Sequence, residues 1–203
     1  MTLTIFQRDS SRRAGERKGD SLHSRHYRNQ AFAPPKQLPQ HTVSIFTDGG
    51  AQPRKKDNMF PPAGCGFVAV RGGQGHEHTG GTAIKEVAIN MLTHIPHVLT
   101  NTNNTAELLG FTRALQWAVT SPHTSDPLVP IVMRYDSCYA AMIASGTWRP
   151  HWHRALAAEA QAAWAALRKL KGNRLWLRHV RGHRGHRWND RADSLATQGQ
   201  PRR

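Results

Sequence analysis

The order in which hydrophobic patterns follow one another constrains this chain more than any single motif. From His41 three runs read as strands. They are "TVSIFTD" at 42–48, β-branched and halted by Asp48-Gly49-Gly50, "GCGFVAVRGG" at 64–73, and "GHEHTGGT" at 75–82. "TNNTAELLGFTRALQWAVT" at 102–120 then switches to helical spacing, with Leu108, Phe111, Leu115 and Ala118 on one face. "LVPIVMRYD" at 128–136 alternates Val129, Ile131, Met133 and Tyr135 as a strand. An alanine-rich helix at 153–171, stopped by Gly172-Asn173, leads to the strand "RLWLRHV" at 174–180 and a closing helix "WNDRADSLATQ" at 188–198. The order β-β-β-α-β-α-β-α predicts an α/β domain, a mixed five-stranded sheet with helices on both faces. Residues 83–101 carry no clear period.

The chain has 203 residues and a formal charge of +15, with a pI of about 11.2. A single domain of that charge is expected to meet a polyanion, above all nucleic acid. Residues 1–40 hold eight Lys/Arg against three Asp/Glu, with no apolar period, and read as a basic disordered tail. That tail is either an arm on nucleic acid or an import signal, although Asp9, Glu16 and Asp20 are unusual in the latter. The folded domain is expected over 41–199, with 200–203 as a short end. Two cysteines, Cys65 and Cys138, form no CxxC pair, which argues against a disulfide framework or a thiolate zinc site and fits a reducing, intracellular location. No apolar run nears the ~20 residues of a membrane span, and nothing calls for a protein partner, so a monomer is expected.

Ten Asp/Glu follow residue 40, and four fall at element ends: Asp48, Glu107, Asp136 and Asp193. Strand ends and the helix starts beside them are where functional groups collect in open sheets. Converging carboxylates repel unless a cation lies between them, and hard divalent ions take carboxylate oxygens. Each residue also has an ordinary explanation. Asp48-Gly49 is a turn dipeptide. Asn104 and Glu107 have capping-box spacing. Asp136-Ser137 sits where it would cap the turn "SCYAAMIA". Asp193 has Arg187 and Arg191 within reach for ion pairs. Near Asp193 lies "GHRGH" at 182–186, in which two histidines flanked by glycines suit a mobile protonatable loop, a basic loop or a zinc ligand pair. Without further close ligands a structural zinc site is poor.

Taken together, "IFTDGG", "TNNTAELLGFTRAL", "YDSCYA" and "VRGHRGHRWNDRADSLA" resemble type 1 ribonuclease H in order and spacing over about residues 41–199. The resemblance implies the ribonuclease H-like fold and an endonuclease that cuts the RNA strand of an RNA·DNA hybrid with two Mg²⁺ ions, Mn²⁺ substituting, to leave 5′-phosphate and 3′-hydroxyl ends. It implies that Asp48 bridges both ions, that Asp193 completes the ion that activates water, and that Glu107 and Asp136 hold the ion near the leaving oxygen. His183 matches the family's mobile histidine. Asn103, Asn104, Gly49, Ser137 and Arg184 are assigned to the nucleic acid.

The chain also departs from the family. Cys138 stands where many members have Gln, no long basic insertion follows the fourth strand, and residues 1–40 do not resemble the family's separate hybrid-binding domain. Grip on the substrate is therefore expected from the tail, from Arg54-Lys55-Lys56, or from Arg149, Arg154, Arg181, Arg184 and Arg187. Trp148 and Trp152 serve either stacking or the core. The rival functions are a DNA-acting nuclease of the same fold, a silent nucleic-acid-binding domain, and a ribonuclease H domain from a retroelement.

Overall fold

The computed structural model describes residues 32–53, 60–72, 80–91 and 100–201. In chain order the elements are β1 (Val43–Ala51), β2 (Ala63–Arg71), β3 (Thr82–Asn90), α1 (Asn103–Thr120), β4 (Ile131–Tyr135), α2 (Cys138–Ala144), α3 (Arg154–Lys171), β5 (Leu175–His179) and α4 (Arg187–Gly199). The sheet order is β3-β2-β1-β4-β5. β1 and β2, and β2 and β3, pair antiparallel, while β4 lies parallel to both β1 and β5. This is the expected mixed five-stranded α/β sheet, with one short extra helix, α2.

Helices cover both faces. Alternation along β1 turns Phe46 toward α4, where it joins Val68, Val70, Val180, Trp188, Ala192 and Leu195 in one apolar cluster. The opposite face of β1 meets α1, whose Leu108, Phe111, Leu115 and Ala118 are all buried, as their spacing required. α2 and α3 pack on α1 in turn. β4, second from the β5 edge, is buried along its whole length, so Val132 and Arg134 between the alternating Ile131, Met133 and Tyr135 are buried too.

Three expectations change. The third strand is Thr82–Asn90, within the stretch that had no clear period, and "GHEHTGGT" reaches it only at Thr82; residues 73–79 lie outside the described residues. α1 is capped by Thr102 and Thr105, whose side chains each accept from the other's backbone N–H at 3.2 and 2.7 Å. Asn104 and Glu107 therefore form no capping box, and Glu107 sits one turn further in. Residues 32–40, read as the end of the tail, lie against the domain. The Phe32 carbonyl accepts from Leu177 N at 2.7 Å on edge strand β5, and its ring sits between Trp164 and the Arg168 guanidinium. One aromatic suffices to tie the segment down because an edge strand offers unpaired backbone groups. The reading of the preceding residues as a disordered tail, and the Arg54-Lys55-Lys56 loop, lie outside the described residues, as do 92–99.

Candidate active site

Strand register brings the first two carboxylates together. Thr47 pairs with Tyr135 across the parallel β1–β4 ladder, so Asp48 and Asp136 are neighbours, each one residue beyond that rung. The third comes from α1, and glycines let it come close. A Cβ on Gly49 would stand 2.3 Å from Ala106 C and 2.4 Å from Glu107 N, and one on Gly110 would stand 2.9 Å from Asp48 O. Helix backbone thus rests directly on strand backbone, and Glu107 reaches the strand ends. One ligand oxygen from each of Asp48, Glu107 and Asp136 lies within 4.8 Å of the other two.

Asp193 enters from the other face of the sheet on α4, which glycines also draw in. Cβ atoms on Gly64 and Gly66 would stand 2.3 Å from Ala196 O and 2.6 Å from Leu195 Cβ. Asp193 is outside the three-residue cluster but near enough for its charge to raise the proton affinity of Asp48. Its ordinary explanation falls away, because Arg191 pairs with Glu86 at 2.5 and 2.9 Å and Arg187 stacks on Trp188.

Close packing of acids shows in their proton affinities. Burial first, then the charges of Asp136 and Asp193, push the Asp48 carboxyl up to about 7, against a Gly49 N–H bond that lowers it. Burial and the charges of Asp136 and Asp48 push Glu107 to about 10. Asp136 is raised by burial, with opposing hydrogen bonds from Asn189 and the Ser137 backbone and the nearby charge of His179. Such a group of acids holds protons until a cation replaces them. One oxygen fits that demand closely: Asp136 Oδ1 is buried and receives no hydrogen bond, as expected of an acceptor kept for a cation.

The "GHRGH" histidines divide their roles. His183 is exposed, has φ 53°, and puts Nδ1 3.9 Å from Asp193 Oδ2. His186 is the N-cap of α4, accepting from Asn189 N at 3.5 Å, with its ring 5.0 Å from Phe46. Gly182 passes over Asp136, where a Cβ would stand 2.8 Å from Oδ2. Among the residues assigned to nucleic acid, Asn103, Asn104 and Arg184 are exposed. Asn103 Oδ1 accepts from Ala51 N at 2.8 Å, which turns its NH₂ group outward. Ser137 caps α2 through Ala140 N at 3.5 Å. Gly49 is buried, so its part is the close approach of α1. Trp152 is 73% exposed, so it is not core. Sequence reasoning missed Asn189, although it stands four residues before Asp193 and so shares its helix face.

The RNase H family model matches residues 40–200. The chain belongs to the ribonuclease H family. A ribonuclease H of Nitrosomonas eutropha is 30% identical over 172 residues, covering 77% of this chain and 88% of that protein. The N-terminal RNase H domain of a Mycobacterium tuberculosis protein, solved as a maltose-binding-protein fusion, is 26% identical with a TM-score of 0.54, covering 79% of this chain and 99% of that one. LC11-RNase H1, isolated from compost by a metagenomic approach and solved with an RNA/DNA hybrid, is 24% identical with a TM-score of 0.52, covering 78% and 96%. As a ribonuclease H, this enzyme hydrolyses the RNA strand of RNA·DNA hybrids, and its acidic cluster goes with use of a divalent metal.

Proposed function

We propose that Asp48, Glu107, Asp136 and Asp193 hold two Mg²⁺ ions, with Mn²⁺ as a substitute, and that the hybrid is cut between them to leave 5′-phosphate and 3′-hydroxyl ends. The observation that carries this is the convergence of three carboxylates within 4.8 Å in a chain of formal charge +15. Bound there, divalent ions would supply a nucleophile at neutral pH and neutralise charge on the leaving oxygen.

The chain's own residues supply orientation and selectivity. Asp48 lies between the elements that carry the other three acids and is the natural shared ligand. The outward NH₂ of Asn103 is a donor fixed by Ala51, suited to acceptors in the minor groove and on 2′-hydroxyls, where RNA differs from DNA. Asn104 beside it adds a second amide. His183, exposed over Asp193, is placed to accept or give a proton as product leaves. Arg149, Arg154, Arg181, Arg184 and Arg187 are exposed and supply phosphate contacts.

We read the enzyme as an intracellular monomer; Cys65 and Cys138 are both free thiols, in keeping with a reducing compartment. Among the described residues no helix is long and apolar enough to cross a membrane.

The test is cleavage of an end-labelled RNA·DNA duplex, with and without Mg²⁺, beside all-DNA and all-RNA duplexes of the same sequence. The expected result is Mg²⁺-dependent cutting of the RNA strand of the hybrid alone. Equal cutting of the DNA duplex would favour a DNA-acting nuclease. Light scattering on the purified enzyme checks the monomer.

A further inference from the structure

We infer that Asn101 is a positioning residue for the hybrid: it closes a ring of hydrogen bonds that aims the Asn103 amide at the substrate. The inference rests on the reading of Asn103 as a donor to the minor groove. Asn101 is 4% exposed and immediately precedes Thr102, the N-cap of α1. Its side-chain NH₂ donates to the Pro61 carbonyl at 3.0 Å, forty residues away in the chain. The neighbouring Pro62 carbonyl accepts from Gln52 N at 2.8 Å. One residue before Gln52, Ala51 N donates to Asn103 Oδ1 at 2.8 Å. Three short segments, 51–52, 61–62 and 101–103, are therefore joined in a closed circuit by three hydrogen bonds.

Each part of the circuit suits that work. Proline has no N–H and a fixed φ, and a residue before proline is held extended, so Pro61-Pro62 presents two carbonyls on a stiff piece of chain. The Asn101 bond is buried, whereas the Asn103 bond is exposed. A hydrogen bond shielded from water is the stronger of two such bonds, so the buried one holds the segments between which the exposed one forms. Only Thr102 separates Asn101 from Asn103, and a shift at the first carries the second with it. Glu107 is set by a different contact, the close approach of Ala106 to Gly49. Loss of the Asn101 bond should therefore disturb recognition of the hybrid and leave the acidic cluster in place.

The test uses the full chain. It compares steady-state cleavage of an RNA·DNA hybrid with binding of an all-DNA duplex of the same sequence, followed by fluorescence anisotropy. Asn101→Ala should raise KM for the hybrid about 2–12-fold, the worth of one hydrogen bond no longer held in place. The change should fall on KM and not on kcat, the pattern of lost binding without lost transition-state contacts. Affinity for the DNA duplex should stay as it was, because phosphate contacts by surface arginines supply it. In the Asn103→Ala background, Asn101→Ala should have little further effect, since the group it acts through is gone. A lowered Tm with wild-type KM would overturn the inference and leave Asn101 a loop staple. A rise in KM that persists undiminished in the Asn103→Ala background would overturn it too, as would an equal loss of affinity for the DNA duplex. Should Asn101→Ala fail to fold, the same cycle with Asn101→Leu, similar in shape and without a donor, decides. Wild-type KM in Asn103→Ala alone would instead refute the reading of Asn103 beneath it.

Discussion

Gly49→Ala tests the claim that backbone contact between β1 and α1 sets the active-site geometry. The added Cβ would lie 2.3 Å from Ala106 C, 2.4 Å from Glu107 N and 2.6 Å from Ala106 O, all backbone atoms with no rotamer to yield. Ordinary contact begins near 3.4 Å, so α1 must withdraw by about 1 Å. Overpacking of that kind costs about 1–3 kcal/mol, which for a chain of this size lowers Tm by roughly 2–12 °C. The larger effect is catalytic. Glu107 moves with its helix while Asp48 stays on its strand, and a displacement of about 1 Å in a reacting constellation costs on the order of 10²-fold. Single-turnover cleavage of the hybrid should be measured at least ten degrees below the variant's Tm, so that unfolding does not contribute. Gly50→Ala is the control: its nearest neighbour is the end of the flexible Gln200 side chain at 3.4 Å, and it should behave like wild type. A Gly49→Ala enzyme with unchanged rate and Tm would refute the reasoning. An equal loss in Gly50→Ala would locate the effect in the turn and not in the helix contact.

Asp136→Asn should reduce cleavage at least ~10³-fold by removing a ligand from the ions that carry the transition-state charge, while hybrid binding, measured by filter retention, survives through the surface arginines. His183→Ala should slow turnover by about 10²-fold or less, the scale of one acid–base group; loss of Mn²⁺ affinity in that variant would mean the imidazole is a ligand. In chelator the enzyme should become less stable as pH rises. The folded Asp48 holds its proton up to about 7, well above its unfolded value of 3.8, so its contribution is full below about 4 and is lost through 7. That loss is on the order of 4 kcal/mol at most. Tm against pH should therefore fall from 5 to 8 without metal, and Mg²⁺ should raise it more at pH 8 than at pH 5; a flat profile in chelator would contradict the packing of the acids.

The parts of the site that were legible in the sequence are those that local chemistry marks. Asp48 and Asp136 close β-branched runs, and Asp193 follows a glycine-histidine loop, so these acids could be picked out directly, although β1 continues to Ala51 and Asp193 lies mid-helix in α4, so only Asp136 stands just beyond the end of its element. Their adjacency could not, because it depends on the parallel register of β1 and β4, a pairing between residues about ninety apart. β3 escaped because it is an edge strand with exposed Lys85 and Glu86, and partial burial on both sides leaves no clean alternation. The capping-box alternative for Asn104 and Glu107 stayed open in the sequence because Thr102, Asn103 and Asn104 are all capping types, and only the reciprocal bonds between Thr102 and Thr105 decide among them. Phe32 stands between two alanines just before Pro34-Pro35, with no apolar period around it, so nothing in its neighbourhood signalled an anchor.

Glycine is where sequence and structure differ most in what they say. In a sequence, Gly49 reads as a turn residue, Gly64 and Gly66 as strand-weakening and Gly110 as helix-weakening. In the fold each removes a Cβ from a helix–sheet contact, and together they draw α1 and α4 onto opposite faces of the sheet at one end. The consequence is that acids from α1, β1, α4 and the end of β4 are brought into one space, where burial and like charge raise the proton affinity of Asp48 and Glu107 and burial raises that of Asp136. Asn189 and His179 ease only Asp136, while the rest of the molecule carries an excess of positive charge that would have welcomed the same acids elsewhere. Local rules and the fold disagree at this one place, which is what a site built for an added cation looks like. The positive excess then has its own use: it draws the phosphate backbone to a centre whose carboxylates alone would repel it.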